Sequence, residues 1–156
     1  MNPAPPIELR ILDPRLHEWG MPRFQSELAA AIDLHACIDA PLTLHPGAPA
    51  ALIPSGLSML IGDPNITALI VPRSGMGHRR GLILGNTIGV IDADYTGPVL
   101  ISAWNRNPPD SPPLVIAPGE RIAQMLFVPI LRPLFTVTDS FSRSTARGQG
   151  GFGSTG

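Results

Sequence analysis

The segment from Gly85 to Asn105, GNTIGVIDADYTGPVLISAWN, sets two carboxylates two residues apart beside the chain's single tyrosine. In extended chain Asp92 and Asp94 point to one face, while Ile91, Ala93 and Tyr95 point to the other. Such paired carboxylates can bind a metal, or one can serve as a general base. A solvated acidic turn gives the same pattern with no chemistry. Apolar arms flank Tyr95-Thr96-Gly97, so the segment reads as a hairpin.

Four other segments carry groups of chemical interest. PRSGMG, from Pro72 to Gly77, follows an apolar strand. Its Arg73 offers a fixed fork of donors, Ser74 a hydroxyl, and Gly75 and Gly77 an unobstructed backbone that can cradle phosphate oxygens. A strand-ending turn with a surface arginine has the same composition. In AAIDLHA, Asp33 stands among apolar residues at a strand edge, where it can cap a turn or hold water on a hard cation such as Mg2+. In GERIAQMLFVP, Gln124 is an amide inside an apolar run and needs a hydrogen-bond partner, from the protein or from a ligand. The tail RGQGGFGSTG combines Arg147, Phe152, Ser154 and Thr155 with accessible glycine amides, a set able to wrap an anion and lay one ring on a planar ligand.

These groups need a frame, and the composition specifies its kind. Sixteen glycines and 19 prolines in 156 residues interrupt nearly every window, which argues against long helices. Short strands are expected at Ile7–Leu12, Leu42–Leu44, Ala50–Ile53, Leu57–Ile61, Thr67–Val71, Val99–Trp104, Leu114–Ile116, Arg121–Val128 and Leu134–Thr138. Pro-Gly, Pro-Ser-Gly and Asp-Pro-Asn turns separate the early ones. The alanine-rich stretch Glu27–Ala36 favours helix on propensity but reads as extended in this setting. Such spacing suggests one domain, a β-sandwich, jelly roll or barrel.

Composition also excludes several chemistries. All 11 basic residues are arginine, so no Walker-A, Schiff-base or general-base lysine exists. Cys37 is the only cysteine, which rules out an internal disulfide and a cysteine-based metal site. A net charge of −1 gives no global field for nucleic acid. The sequence shows no signal-peptide pattern and no stretch near the roughly 18 apolar residues of a membrane span. A cytoplasmic protein is expected, with no nucleic acid and no membrane as partner.

In this order and spacing, the five segments resemble the five motifs of the homotrimeric dUTPases, in particular bacterial members, over essentially the whole chain. The resemblance implies an all-β, single-domain distorted jelly roll or β-barrel of the β-clip type over residues 1–139. A flexible C-terminal arm, residues 140–156, would close over the active site. It implies hydrolysis of dUTP to dUMP and pyrophosphate by water attack on the α-phosphorus, which lowers dUTP and supplies dUMP for thymidylate synthesis. By position, Asp92 matches the carboxylate that activates water, with Asp94 structural. Asn86, Tyr95 and Phe152 match the uracil and deoxyribose contacts. Arg73, Ser74, Gly75, Gln124, Arg147, Ser154 and Thr155 match the phosphate contacts. The cofactor implied is Mg2+, with no direct protein ligand and Asp33 acting on it through water. The partners implied are dUTP and two further copies of the chain. Arg73, Ser74 and Gln124 would come from one subunit, the Asp92 hairpin from a second and the Phe152 tail from a third.

Two departures stand out. Ala31 occupies a position where the first motif usually has glycine, and Pro98 removes one ladder donor, which suggests an edge or a bulge. His78-Arg79-Arg80 reads equally as a surface cluster or as a face toward neighbouring subunits. The related dCTP deaminase needs a glutamate base near the pyrimidine, and Glu8, Glu18, Glu27 and Glu120 all lie off the hairpin. A non-catalytic dUTP-binding trimer is the remaining alternative, and Asp92 with a full tail argues against it.

Overall fold

Alternating apolar residues cut by proline and glycine give ten short strands in the computed structural model, which describes residues 6–151. They are β1 (Glu8–Ile11), β2 (Ile32–His35), β3 (Leu42–Leu44), β4 (Ala51–Leu60), β5 (Ile66–Pro72), β6 (Leu82–Leu84), β7 (Gly89–Ile91), β8 (Pro98–Asn105), β9 (Leu114–Ile116) and β10 (Arg121–Pro129). One sheet runs β1-β4-β8-β6, a second β2-β10-β5-β7, and β3 pairs with β9. Every pairing is antiparallel. The inner faces meet in one core that includes Leu34, Ile53, Leu57, Ile101, Ile122 and Met125. The jelly-roll expectation holds; of the alanine-rich stretch Glu27–Ala36, Ile32–His35 is strand as read, while Glu27 and Leu28 form a turn closed by Ala29 N–H to Ser26 O. Pairing of β2 with β10 outweighs its helical propensity.

Among the described residues helical structure is confined to a single turn, α1 (Leu16–Trp19), and to Ser74–Gly75 with the π-helical turn Met76–Arg80 that follows them. Arg15 precedes α1, is paired with Asp13, and holds its guanidinium 4.9 Å from the Trp19 ring. That ring in turn covers Gly119. Ala117 to Glu120 forms a tight turn closed by Glu120 N–H to Ala117 O at 3.1 Å, with Gly119 at φ +75°. A Cβ on Gly119 would lie 2.7 Å from the Trp19 ring. Gly119→Ala therefore meets both a left-handed backbone and a filled space, and should cost about 2–4 kcal/mol of stability. An unchanged denaturation midpoint would contradict this.

Four expectations are corrected. Pro54-Ser55-Gly56 is not a turn between two strands but a bulge inside β4, where the register with β8 shifts between Pro54 and Ser58. Ser55 Oγ donates to Val99 O at 2.7 Å, so the bulge is anchored on the neighbouring strand. Pro98 is the first residue of β8 and faces this irregularity, where a missing N–H is tolerated. Leu134–Thr138 forms no strand, because within one chain it has no ladder to join.

The remaining two corrections concern the acidic segment. Its apolar arms do not pair with each other: β7 joins β5 in one sheet, and β8 joins β4 and β6 in the other. Residues 92–97 thus cross between sheets rather than close a hairpin. The turn itself is Asp92–Tyr95, with Tyr95 N–H donating to Asp92 O at 3.1 Å, not Tyr95-Thr96-Gly97. Asp94 occupies a turn position that suits a short polar side chain.

Candidate active site

The second sheet positions both chemical clusters, and puts them at opposite edges. On the β2 edge, cross-strand pairing sets Gln124 of β10 between Asp33 of β2 and Val71 of β5. Gln124 Nε2 donates to Pro72 O at 3.0 Å, so the half-buried amide finds a protein partner. β5 ends at Pro72, and the chain turns helical from Ser74. Arg73, Ser74, Gly75, Gln124, Asp33 and Ala31 line one open cleft of ≈ 900 Å³. AAIDLHA, PRSGMG and GERIAQMLFVP are therefore one constellation in space. Ala31 has ordinary backbone geometry, since Thr87 is the only non-glycine residue at positive φ among those described. Its methyl is tolerated without strain.

Two arginines hold Asp33. Arg73 Nε forms an ion pair with Oδ1 at 2.7 Å, and Arg121 Nη1 donates to Oδ2 at 3.1 Å. Arg73 Nη1 also reaches Arg121 O at 3.1 Å. Asp33 thus fixes the Arg73 fork at the cleft wall. Arg121 was absent from the sequence-derived set for a physical reason. Arg121 and Gln124 are three apart, so regular alternation would put them on opposite faces. A bulge at Ile122 shifts the register between Arg121 and Ala123, which places Arg121 opposite His35 and on the face of Asp33. His35 is buried beside this cluster, and burial holds its pKa below the ordinary imidazole value.

On the β7 edge, Asp92 is exposed and shares a pocket of ≈ 190 Å³ with Tyr95, Val90, Ile91, Pro98 and Leu100. Tyr95 OH donates to Pro98 O at 3.0 Å, which folds the ring over its own loop and makes it a fixed wall. Asp92 and Asp94 line an adjoining cleft with Thr67 and Arg132. Asn86 is exposed in the turn before β7 and lines neither the phosphate-type cleft nor the Asp92 pocket. Arg147 is exposed, with Nε donating to Gly150 O at 2.8 Å, and also lines neither. Phe152, Ser154 and Thr155 lie outside the described residues.

The two clusters do not meet within one chain. Ile91 pairs with Ala68, five residues before Arg73, a separation of about 17 Å along the strand. β2 and β7 are the two edges of a four-stranded sheet, a further ~14 Å across. Asp92 continues past Ile91, away from Arg73. A cationic cleft and a small carboxylate-bearing pocket thus sit as two half-sites.

Comparison with known proteins places this architecture. The dUTPase family model matches residues 17–156. A deoxyuridine 5'-triphosphate nucleotidohydrolase of Xanthomonas oryzae pv. oryzae (strain MAFF 311018) is 50% identical over 156 residues, 99% of this chain and 97% of that protein. One from Xanthomonas campestris pv. campestris (strain B100) is 50% identical over 151 residues, 96% of each. Among solved structures, the dUTPase of Staphylococcus bacteriophage 80alpha with dUPNHPP superposes with a TM-score of 0.81 at 24% identity, over 98% of this chain and 99% of that one. A phage phi11 dUTPase variant, described with a structural Mg(II) ion, gives 0.75 at 21% identity over 88% and 99%. These structures share the fold.

Proposed function

Because this chain belongs to the dUTPase family, we infer that it hydrolyses dUTP to dUMP and pyrophosphate. The observation that carries the reading is the pair of half-sites on one sheet, a donor-rich cleft for phosphates and a carboxylate beside a small pocket walled by Tyr95. In the proposed reaction, a water oxygen bonds to the α-phosphorus and the bond to the α–β bridging oxygen breaks. Pyrophosphate leaves, and the water's proton passes to the Asp92 carboxylate. Arg73, Ser74, Gly75 and Gln124 hold the phosphates, and Asp33 keeps the Arg73 fork aimed at them. Tyr95 forms the floor under the deoxyribose, with uracil read by the chain from Asn86 onward. The test is pyrophosphate release from dUTP by purified protein, with ammonia release from dCTP measured in parallel. Ammonia without pyrophosphate would point to a deaminase, and neither product would point to a binding protein.

Mg2+ fits the donor set. No group of three or more His, Cys, Asp or Glu gathers among the described residues, so they offer no all-protein cage for the ion. Mg2+ suits that poverty, since it keeps several waters and binds phosphates with few carboxylates. Asp33 retains a lone pair on each oxygen beyond its arginine and can accept from an ion-bound water. The bound ion would neutralise phosphate charge.

The separation of the half-sites supports a homotrimer in which the cleft of one subunit meets the Asp92 pocket of another. So does the apolar run after β10, where Leu131, Leu134, Phe135 and Val137 are 90–99% exposed. Residues 140–156 are proposed as the arm that closes each site, with Phe152 over uracil and Arg147, Ser154 and Thr155 on the phosphates. We place the enzyme in the cytoplasm as part of the same reading. Among the described residues no helix is long and apolar enough to cross a membrane.

Sugar selection gives a sharp expectation. Tyr95→Ala removes the wall beside C2′ and should raise UTP hydrolysis relative to dUTP, changing the ratio of kcat/KM values and not only the rate. A fixed ratio would move ribose discrimination to another residue.

A further inference from the structure

We propose that Arg79 is a further substrate-binding residue, holding the outer phosphates that depart as pyrophosphate. The inference rests on the reading of the Arg73–Gln124 cleft as a triphosphate site. Arg73, Arg79 and Arg80 line that cleft, Arg121 stands beside it on Asp33, and all but Arg79 are committed within the protein. Arg73 and Arg121 are paired with Asp33. Arg80 is paired with Glu120, and its Nη2 donates to Val115 O at 2.9 Å. Of these arginines Arg79 alone makes no side-chain hydrogen bond or ion pair with the described residues, yet it lines the cleft.

Its direction is set by the backbone. Helical side chains lean toward the N-terminus, so a residue covers the turn before its own. The π-helical turn, with its wider winding, brings Arg79 over Ser74 and Gly75. The guanidinium lies against the Gly75 backbone, where a Cβ would come within 2.9 Å of Nη2. The missing side chain of Gly75 is the space that Arg79 occupies. An exposed, uncommitted cation at the rim meets the free end of a phosphate chain, which carries the most charge, whereas the α-phosphate is tied to the position of Asp92. A planar fork suits phosphate oxygens. His78-Arg79-Arg80 therefore divides: Arg80 is structural and Arg79 faces the substrate.

The test compares wild type with Arg79→Gln and Arg79→Lys. Readouts are KM for dUTP, inhibition by pyrophosphate, inhibition by dUMP, and the unfolding midpoint. Arg79→Gln should raise KM and weaken pyrophosphate inhibition by about tenfold, the lower end for losing a charged hydrogen bond. Inhibition by dUMP and the midpoint should not move, and Arg79→Lys should recover only the part of the loss that charge without the fork supplies. Unchanged pyrophosphate inhibition in an active Arg79→Gln enzyme would overturn the proposal while leaving the dUTPase reading intact. Equal weakening of dUMP and pyrophosphate would overturn it too, as general damage. A wild-type protein that releases no pyrophosphate from dUTP would overturn the underlying reading and this proposal with it.

Discussion

Asp92→Asn should lower dUTP turnover by about 100- to 10,000-fold, the span expected when a positioned general base is removed, while binding and fold persist. The asparagine amide has the same shape but cannot take a proton from water. Asp92 is exposed at the edge of the sheet and supports no element of the core, so the substitution carries little structural cost. Rapid-quench kinetics for the chemical step and equilibrium binding of dUTP to the variant measure the two halves separately. Near wild-type turnover would remove Asp92 from the mechanism. Asp94→Asn is the control: it alters a turn position and should be milder, and an equal loss would make the pair the catalytic unit.

Mixed assemblies of two inactive chains should regain dUTP hydrolysis that neither has alone. One is Asp92→Asn with an intact tail; the other ends at Ala146 with Asp92 intact. The expectation rests on the proposed shared site, which the sheet favours by holding Asp33 and Asp92 at opposite edges. Unfolded and refolded together, the two chains should yield some sites with a good carboxylate and a good tail from different subunits. Each parent refolded alone sets the background. Verified mixed trimers without activity would put carboxylate and tail on the same subunit and overturn the shared-site model.

The sequence was most legible where chemistry is local. Arg73, Ser74 and Gly75 are adjacent, and their role needs only the strand that stops at Pro72. Gln124 was found because an amide inside Ile122–Val128 is out of place. Asp33, 91 residues before it, joined the same cleft only through β2–β10 pairing, which no local pattern encodes. The acidic segment was misread as a hairpin because alternation reports that a strand has an apolar face but not which sheet it joins. Arg121 escaped because a bulge cancels the parity on which face assignment rests. His78-Arg79-Arg80 stood out in the sequence but not its division, because the direction of Arg79 depends on a π-helical turn and on the side chain that Gly75 lacks.

That bulge makes the length of β10 a quantised property. Across Ile122 the strand behaves like a reading frame with a period of two. Losing one residue there would turn Arg121 away from Asp33, or carry Gln124 and Met125 to each other's faces. Losing two would restore the phase and shorten only the reach. Drift in this segment is thus filtered by arithmetic before chemistry: an odd change in length unmakes the cleft even if every residue type survives.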